Sequence, residues 1–453
     1  MISIHLKKGY DLNVAGKPSR ELKTLPSPDQ VALLPDQLPF VKPRLKVKTG
    51  DRVQVGSVLF EDKANPGVKF VSPGGGTVVD IQYGPRRVIE AVVIRLEEDE
   101  AFTEFSPIPE NRIADVARDK LVAALVEGGV WPLIRELPFR NIPRPDAEMP
   151  SAVFVSLSSE EPFQPVPGVY LRDRADLLRY GAGVLRRLAK RVIVSIAERD
   201  ADLLAGTGLE DAPDCFPVRY RGHYPAGDPG VLLYRTKRTA KENRSWFILG
   251  QDLLLLAGLL RDGVFPTERT VVVGGAASPV HGHIRTRIGA PLAHLLGGAG
   301  PNGDTRYIQG GLLSGYAAPR EGHLGLYETA LTLIPEGKER ELFGFIRPGY
   351  HKPSYSRAFL SVFHTAPFSR NCNTHGEERA CINCGYCAHV CPVDILPQYT
   401  MKALRADEIE EALALGLLDC VECGLCTYVC PSKVELYQTL KNAKARYHRE
   451  MNR

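Results

Sequence analysis

Blocks of apolar and polar residues between positions 151 and 196 follow an order that predicts strand, helix and strand. Residues 151–157, SAVFVSL, are almost continuously apolar, as in a strand buried on both faces of a parallel sheet. Residues 174–190 carry apolar positions at helical spacing, and residues 191–196, RVIVSI, form the next apolar run. This order predicts a Rossmann-like α/β domain over residues 101–265.

The segment after the first of these strands differs from a nucleotide-binding loop. A dinucleotide site needs a glycine-rich turn directly between a strand and a helix. Here the strand is followed by SSEEPFQPVPG, which is acidic and rich in proline. The glycine clusters at 73–77 and 297–303 are interpreted as turns, because a strand follows the first and a proline interrupts the second. We therefore expect no NAD or flavin site of this construction.

Short β-type runs and tight turns fill the N-terminal part of the chain. Residues 44–82 alternate such runs with Gly-Asp, Asn-Pro-Gly and Pro-Gly-Gly-Gly turns. The cadence resembles that of biotinyl- and lipoyl-type barrel-sandwich domains, which we predict for residues 1–100. Lys63 precedes the Asn-Pro-Gly turn, so we interpret it as a strand residue and not as a lipoyl-bearing lysine at the tip.

A second β-rich pattern lies beyond the predicted α/β domain. Residues 270–298 predict a strand, a hairpin and a short helix, and residues 306–315 predict a further strand and turn. We predict a small β-grasp, SLBB-like domain over residues 266–345. His281 and His283 form an H-x-H pair, but no third ligand is close in sequence, so both are interpreted as surface histidines of the hairpin.

Composition and charge narrow the class of protein. The 453 residues are 44% hydrophobic and 24% charged, with a formal net charge of +4, which is typical of a globular chain of several domains. This charge is too small to favour nucleic-acid binding. The N-terminal residues lack the apolar core of a signal peptide. The longest apolar run, residues 253–260, is shorter than the ~20 residues that span a bilayer.

Cysteine is distributed unevenly and carries the strongest chemical signal. Eight of the ten cysteines lie in two runs within residues 346–453, and Cys215 and Cys372 stand apart. Both runs read C-x-x-C-x-x-C-x-x-x-C-P, and every cysteine of the second is displaced by 39 positions from the first. This spacing is the signature of bacterial ferredoxins with two [4Fe–4S] clusters. Two zinc ribbons built from the C-x-x-C pairs are the alternative. A zinc ribbon, however, requires neither the third cysteine of the overlapping C-x-x-C pattern nor the C-P that follows it.

The spacing also predicts a crossed assignment of the ligands. Three cysteines at two-residue gaps wrap one face of a cluster, and the fourth, a helical turn later, points towards the other cluster. The first cluster would be held by Cys381, Cys384, Cys387 and Cys430. The second would be held by Cys420, Cys423, Cys426 and Cys391. Such a pair carries single electrons, so we predict an electron relay at this end of the chain, with no catalytic residue of its own.

Helices are predicted around the second cysteine run. Residues 407–418 place apolar side chains on one helical face. Ser432 and Glu435 have the spacing of a capping box for a final helix. The basic end of that helix, KNAKARYHREMNR, is interpreted as a solvated face.

The chain resembles the A subunit of the sodium-translocating NADH:quinone reductase, a family related to the C subunit of the Rnf electron-transport complex. The resemblance rests on segments spread over nearly the whole length: KKGYDLNVAGKP (7–18), LFEDKANPGVKFVSPGGGTV (59–78), GHYPAGDPG (222–230), RTRIGAPL (285–292), YSRAFLS (355–361) and CTYVCPSK (426–433). It implies barrel-sandwich, Rossmann-like and β-grasp domains with a helical, ferredoxin-like C-terminal domain. Typical A subunits have lost the cluster ligands, whereas this sequence keeps all eight.

The resemblance implies a function within a membrane-bound complex. The chain would be a peripheral electron-transfer subunit on the cytoplasmic side of the inner membrane, in an ion-translocating, Na⁺-dependent NADH:quinone oxidoreductase. Its partners would be membrane-embedded and flavin-carrying subunits, with quinone at the interface. Two alternatives remain open: an NADH-oxidising entry subunit like the Rnf C subunit, and a structural assembly subunit whose clusters act only as staples.

Overall fold

The computed structural model describes residues 2–301, 303–338, 343 and 346–452. Two strands near the N-terminus, β1 (Ile2–Leu6) and β2 (Leu22–Thr24), pair with strands that lie far later in the chain. Within the described residues, no helix is both long and apolar enough to cross a bilayer.

A barrel-sandwich follows these two strands and forms two small antiparallel sheets. The strands are β3 (Gln30–Leu33), β4 (Pro43–Leu45), β5 (Arg52–Val53), β6 (Val58–Asp62), β7 (Lys69–Val71), β8 (Gly76–Tyr83) and β9 (Ile89–Leu96). One sheet has the order β3-β9-β8-β5 and the other β4-β6-β7. Lys63 follows the end of β6 and lies in the turn, not on the strand. The predicted barrel-sandwich class is confirmed.

The next part of the chain is an α/β domain, as the apolar pattern predicts. Its elements are α1 (Arg118–Glu127), β10 (Arg135–Glu136), β11 (Val153–Ser156), α2 (Pro167–Tyr170), α3 (Ala175–Leu188), β12 (Val192–Ala197), β13 (Cys215–Gly222), α4 (Pro229–Thr236), β14 (Trp246–Leu249) and α5 (Gly250–Asp262).

The sheet of this domain has the order β1-β13-β12-β11-β14-β10, parallel except for the short edge strand β10. Because β11, β12 and β14 are covered on both faces, nearly every residue in them is buried. Helices α3 and α5 pack closely at Gly181, where an added Cβ would approach Leu253 to 2.8 Å. The more specific Rossmann-like assignment stays a prediction.

The third part of the chain contains β15 (Glu268–Gly274), β16 (Gly282–Arg287), α6 (Leu292–Leu295), β17 (Thr305–Gln309), β18 (Tyr316–Ala318) and β19 (Ala330–Pro335). Its strands form a mixed sheet with β2, in the order β18-β17-β19-β15-β16-β2. The β-grasp, SLBB-like assignment stays a prediction, and its predicted end at residue 345 lies outside the described residues.

The interpretation of His283 as a surface residue is wrong. Its side chain is buried on β16. Nδ1 lies 2.7 Å from the Ser19 carbonyl, and Nε2 accepts a hydrogen bond from the Val166 amide at 3.1 Å. The chain before β2 covers this face of the hairpin, which the local sequence does not reveal. His281 is exposed, with Nε2 3.0 Å from the Gly275 carbonyl.

Short helices build the C-terminal part of the chain. They are α7 (Tyr386–Val390), α8 (Pro397–Arg405), α9 (Ile409–Ala414), α10 (Leu425–Tyr428) and α11 (Leu436–Met451). The helix predicted over 407–418 is shorter, because Gly416 adopts a left-handed conformation (φ 89°) and ends the run. The predicted capping box is also wrong. At the start of α11, the Tyr437 amide donates a hydrogen bond to Thr427 Oγ1 at 2.8 Å and not to the side chain of Ser432.

One apolar core joins the C-terminal helices to the α/β domain. Phe154 and Val231 of the α/β domain belong to the same buried cluster as Val393, Leu417 and Leu440 of the C-terminal part. The cysteine runs therefore sit on a packed surface of the α/β domain and not on a separate tail.

Candidate iron–sulfur centre

The two cysteine runs have the same backbone path. Each begins with an extended loop and enters a short helix through a left-handed glycine, Gly385 before α7 and Gly424 before α10. Three pairs of positions offset by 39 residues have φ between 56° and 78°: Asn383 and Glu422, Gly385 and Gly424, and Asp394 and Lys433. The repeat in sequence is thus a repeat in backbone geometry, which turns the three loop cysteines towards one centre.

The first cavity gathers cysteines from both runs. Its walls include Cys381, Cys384 and Cys387 of the first run together with Cys430 of the second. Residues of both runs and of α8 close the remaining sides, including Gln398, which lies 3.0 Å from the Cys387 sulfur through its Oε1. The structure brings together the four cysteines that the spacing assigns to one cluster.

A second cavity lies on the other side of Cys387. It is lined by Cys420, Cys423 and Cys426 of the second run and by Cys391 of the first. Cys387 also borders it, so this residue stands between the two cavities. The free cysteines Cys215 and Cys372 line neither of the two.

The two cavities differ in their access to solvent. At the first cavity, Cys384 is exposed, and 68% of the surface of the neighbouring Ile382 is accessible to solvent. Around the second cavity, burial raises the pKa of Cys423 and Cys426 well above the ordinary thiol value. Burial also raises the pKa of Cys387 and Cys391 to about 11. These thiols ionise at neutral pH only when a positive centre such as iron binds them.

Ion pairs hold the end of the first run. The Asp394 carboxylate forms ion pairs with the Lys8 ammonium at 2.8 Å and with the Arg235 guanidinium at 3.0 Å. Residues from the N-terminal segment and from α4 therefore meet at the same carboxylate. Arg235 also donates to the Pro392 carbonyl at 2.7 Å. These contacts fix the backbone just after Cys391, the residue that enters the second cavity.

A buried lysine holds the start of the second run. Lys444 on α11 is 2% exposed and donates to the Pro138 carbonyl, the Cys420 carbonyl and Glu422 Oε1, at 3.0, 2.8 and 2.6 Å. The interpretation of this basic stretch as a solvated face is therefore wrong at Lys444. The sequence does carry a sign of this burial: Lys444 follows the apolar Leu440 by four residues, a spacing that places both side chains on the same face of a helix.

Tyr224 supplies a further contact to the second run. It is buried, its hydroxyl donates to the Cys423 carbonyl at 2.9 Å, and burial raises its pKa. Tyr224 lies in the segment GHYPAGDPG (222–230), which carries part of the family resemblance, but its contact with the cysteine run could not be predicted, because the two partners are 199 positions apart.

Comparisons with known proteins match three parts of the chain to family models. Residues 4–97 match the NqrA N-terminal barrel-sandwich hybrid domain, and residues 116–265 match the NqrA second alpha/beta domain. Residues 380–434, which contain both cysteine runs, match the 4Fe-4S dicluster domain. This match supports iron–sulfur clusters in the chain.

Curated relatives match nearly the whole length of the chain. It is 34% identical over 418 residues to the A subunit of the Na(+)-translocating NADH-quinone reductase of Actinobacillus pleuropneumoniae serotype 5b, covering 92% of both chains. The A subunit of the Klebsiella pneumoniae reductase is 34% identical over 420 residues, again with 92% of both chains covered. Among solved structures, a chain of the NAD+-reducing [NiFe]-hydrogenase in the H2-reduced state is 12% identical in sequence, and the match covers 74% of this chain and 62% of that chain. The TM-score of this match is 0.34, which is too low to support any inference.

The identity to these A subunits and the length it covers decide the family. The chain belongs to the family of the A subunits of the Na(+)-translocating NADH-quinone reductases, which are oxidoreductase complexes.

Proposed function

We propose that the chain relays single electrons through two [4Fe–4S] clusters held in crossed fashion by its two cysteine runs. Cys381, Cys384, Cys387 and Cys430 hold the first cluster. Cys420, Cys423, Cys426 and Cys391 hold the second. The observation that carries this proposal is that each cavity is lined by three cysteines of one run and the last cysteine of the other.

The residues of the chain fit these groups. A [4Fe–4S] cluster needs four thiolates around one space, and each cavity offers four cysteine side chains. When bound, the clusters accept and give up one electron at a time. The chain encloses the second site, positions its loop through Lys444 and Tyr224, and leaves the first site near solvent. The first site is therefore the side at which an external donor or acceptor approaches.

The family suggests a place for the relay in a larger assembly. We infer that the chain works in an NADH–quinone reductase complex, with membrane-embedded and flavin-carrying subunits as partners and quinone reduced nearby. It then lies peripherally on the cytoplasmic side of the inner membrane, and the complex moves Na⁺. The names of the relatives support the membership in such a complex and the movement of Na⁺.

The relatives favour this role over that of an NADH-oxidising entry subunit. The segment after β11 supports the same choice, because it lacks a glycine-rich turn for a pyrophosphate. A purely structural role for the clusters predicts that they are not reversibly reduced by one electron. EPR spectroscopy during a redox titration separates that alternative from the relay.

Paired serine substitutions test the crossed assignment. Cys381→Ser with Cys430→Ser strikes a single site, so one cluster should remain visible by EPR. Cys420→Ser with Cys430→Ser strikes both sites, so both clusters should be damaged. Cys372→Ser is the matched control, since Cys372 lines neither cavity and should leave both signals unchanged. If the second pair spares a cluster and the first removes two, each run binds its own cluster and the assignment is wrong.

Analysis of the purified chain tests the cofactors. Anaerobically prepared protein should contain about eight irons and eight labile sulfides per chain, following the two motifs. No stoichiometric flavin should copurify, and NADH alone should not reduce the clusters. Stoichiometric zinc, copurifying flavin or rapid reduction by NADH would each contradict the corresponding part of the proposal.

A further inference from the structure

A third cavity lies beside the second cluster site and is distinct from both cysteine cavities. It measures about 290 Å³, close to the lower end of the range of small-molecule sites, roughly 300 to 1,000 Å³. Four parts of the chain form its walls: the segment after β10, α4 with the turn that follows it, the start of the second cysteine run, and the end of α11. Cys420 is one of its lining residues.

One group of residues that line this cavity is apolar and aromatic. Leu137 and Leu233 are buried, and Phe139, Tyr234 and Tyr447 contribute ring surfaces. A planar ring gains both area burial and ring–ring contacts in such surroundings. The size of the cavity fits one ring system.

The polar part of the cavity carries an excess of positive charge. Four cationic side chains line it, namely Arg140, Lys237, Lys241 and Arg244, against the single carboxylate Asp419. Two of the cations are already paired: Arg140 with Asp228 at 2.7 Å and Lys237 with Asp419 at 2.6 Å. Arg140 also donates to the Val421 carbonyl, which ties it to the second cysteine run.

Lys241 and Arg244 are the cations available to a ligand. Both are exposed, and among the described residues neither forms an ion pair within 4.0 Å, although the charge of Arg244 also acts on the Glu136 carboxylate. Both lie on the segment after α4 and line the same cavity. Paired cationic side chains that converge on an open site favour a phosphate group.

We propose that this cavity binds a mononucleotide, that is, one planar aromatic ring joined to a phosphate. The ring lies between Phe139, Tyr234 and Tyr447, and the phosphate is bound by Lys241 and Arg244. A ligand bound there contacts the segment that carries Cys420, next to the second cluster site. This binding goes beyond the proposed relay and does not depend on it. The mononucleotide binds reversibly from solution, so the purified chain still carries no stoichiometric flavin.

Isothermal titration calorimetry on the full chain, with its clusters intact, tests the proposal. Flavin mononucleotide and adenosine monophosphate serve as two mononucleotide probes, one redox-active and one not. Riboflavin and inorganic phosphate each offer only half of the ligand. At least one mononucleotide should bind at least tenfold more tightly than either half, and its affinity should fall as salt increases.

Two variants locate the binding. The double change Lys241→Glu with Arg244→Glu should weaken mononucleotide binding at least tenfold while leaving the weak binding of riboflavin unchanged. Ala240→Trp keeps the charges but fills the cavity from an exposed lining position, and should abolish binding of the ring. Lys120→Glu with Lys48→Glu, two exposed changes outside the cavity, alters the net charge by the same amount and should have no effect.

Several results would overturn the proposal. Failure of both mononucleotides to bind would do so, as would binding that neither variant alters. If inorganic phosphate binds as tightly as the mononucleotides, the ring contributes nothing to affinity, and the cavity is an anion site only. Because iron, sulfide and EPR signals are measured separately, a failure here leaves the relay proposal standing.

Discussion

At the scale of single residues, Lys444 is the most consequential contact outside the cysteines. Replacing it with Met leaves the Glu422 carboxylate and two carbonyls without their shared donor. Breaking a buried ion pair from one side costs about 3–5 kcal/mol. We expect Lys444→Met to lower stability by that order and to weaken the EPR signal of the second cluster more than that of the first.

Two matched variants check this expectation. Lys441→Met removes an exposed lysine of the same helix and should change stability by no more than about 0.5 kcal/mol. Lys444→Met with Glu422→Gln removes both charges and should recover part of the loss. Equal effects of Lys444→Met and Lys441→Met would show that the buried contacts do not stabilise the loop.

Glu328 gives a residue-scale prediction for pH dependence. Burial raises its pKa from 4.5 to about 7, against the lowering effect of Arg135 and Arg269. Glu161 and Asp252 add to the increase. Between pH 4.5 and 7 the folded chain therefore holds a proton that the unfolded chain releases, and this contribution to stability is lost as the pH rises through that window.

Replacing Glu328 with Gln should remove this dependence. We expect Glu328→Gln to raise the free energy of unfolding by about 3 kcal/mol at pH 8 and by less than about 1 kcal/mol at pH 5. Urea unfolding at both pH values measures the difference, with the exposed Glu321→Gln as control. A gain that is the same at pH 5 and pH 8 would mean that the carboxyl group does not titrate in this window.

At the scale of elements, the two cysteine loops offer a matched pair of glycines. Gly385 and Gly424 hold equivalent left-handed positions, with φ of 78° and 75°. A side chain at either position costs roughly 1–2 kcal/mol of backbone strain. An added Cβ at Gly385 meets nothing within 4 Å, whereas at Gly424 it comes within 2.6 Å of the Leu313 carbonyl oxygen.

We therefore expect Gly424→Ala to be more damaging than Gly385→Ala. The change at Gly385 should cost only the backbone strain, and the change at Gly424 should add an overpacking penalty of about 1–3 kcal/mol. Urea midpoints and the EPR intensity of each cluster measure the two variants side by side. Similar losses for both would indicate that the Leu313 segment moves away without cost.

The elements also show how far the sequence could predict the structure. Local patterns predict β11, α3 and β12 closely, because apolar periodicity is a property of neighbouring residues. The burial of His283 and of Lys444 depends on segments distant in sequence, Ser19 and Pro138, and no local pattern carries the identity of those partners. The same holds for the third cavity, whose walls come from four separate parts of the chain.

At the scale of the whole molecule, the shared apolar core makes the cysteine runs part of the structure of the α/β domain. Removal of iron by a chelator should loosen the second loop and, with it, α4, since Gly230 lies against Val421. Hydrogen exchange should rise in residues 229–236 but not in the barrel-sandwich strand at 89–96. A uniform increase, or none in α4, would contradict this coupling.

The pairing of β1 with β13 has a consequence for the synthesis of the chain. Ile2 lies opposite Val218, so 216 residues separate the two partners (218 − 2). At about 5–20 residues per second, the ribosome needs roughly 10 to 40 s before the partner of the first strand exists. During that delay the first strand keeps its backbone amides and carbonyls unpaired, a state in which strands associate with other chains. The edge strand β1 of the α/β sheet is thus made long before its partner β13, and during that interval a chaperone that binds extended segments would protect it.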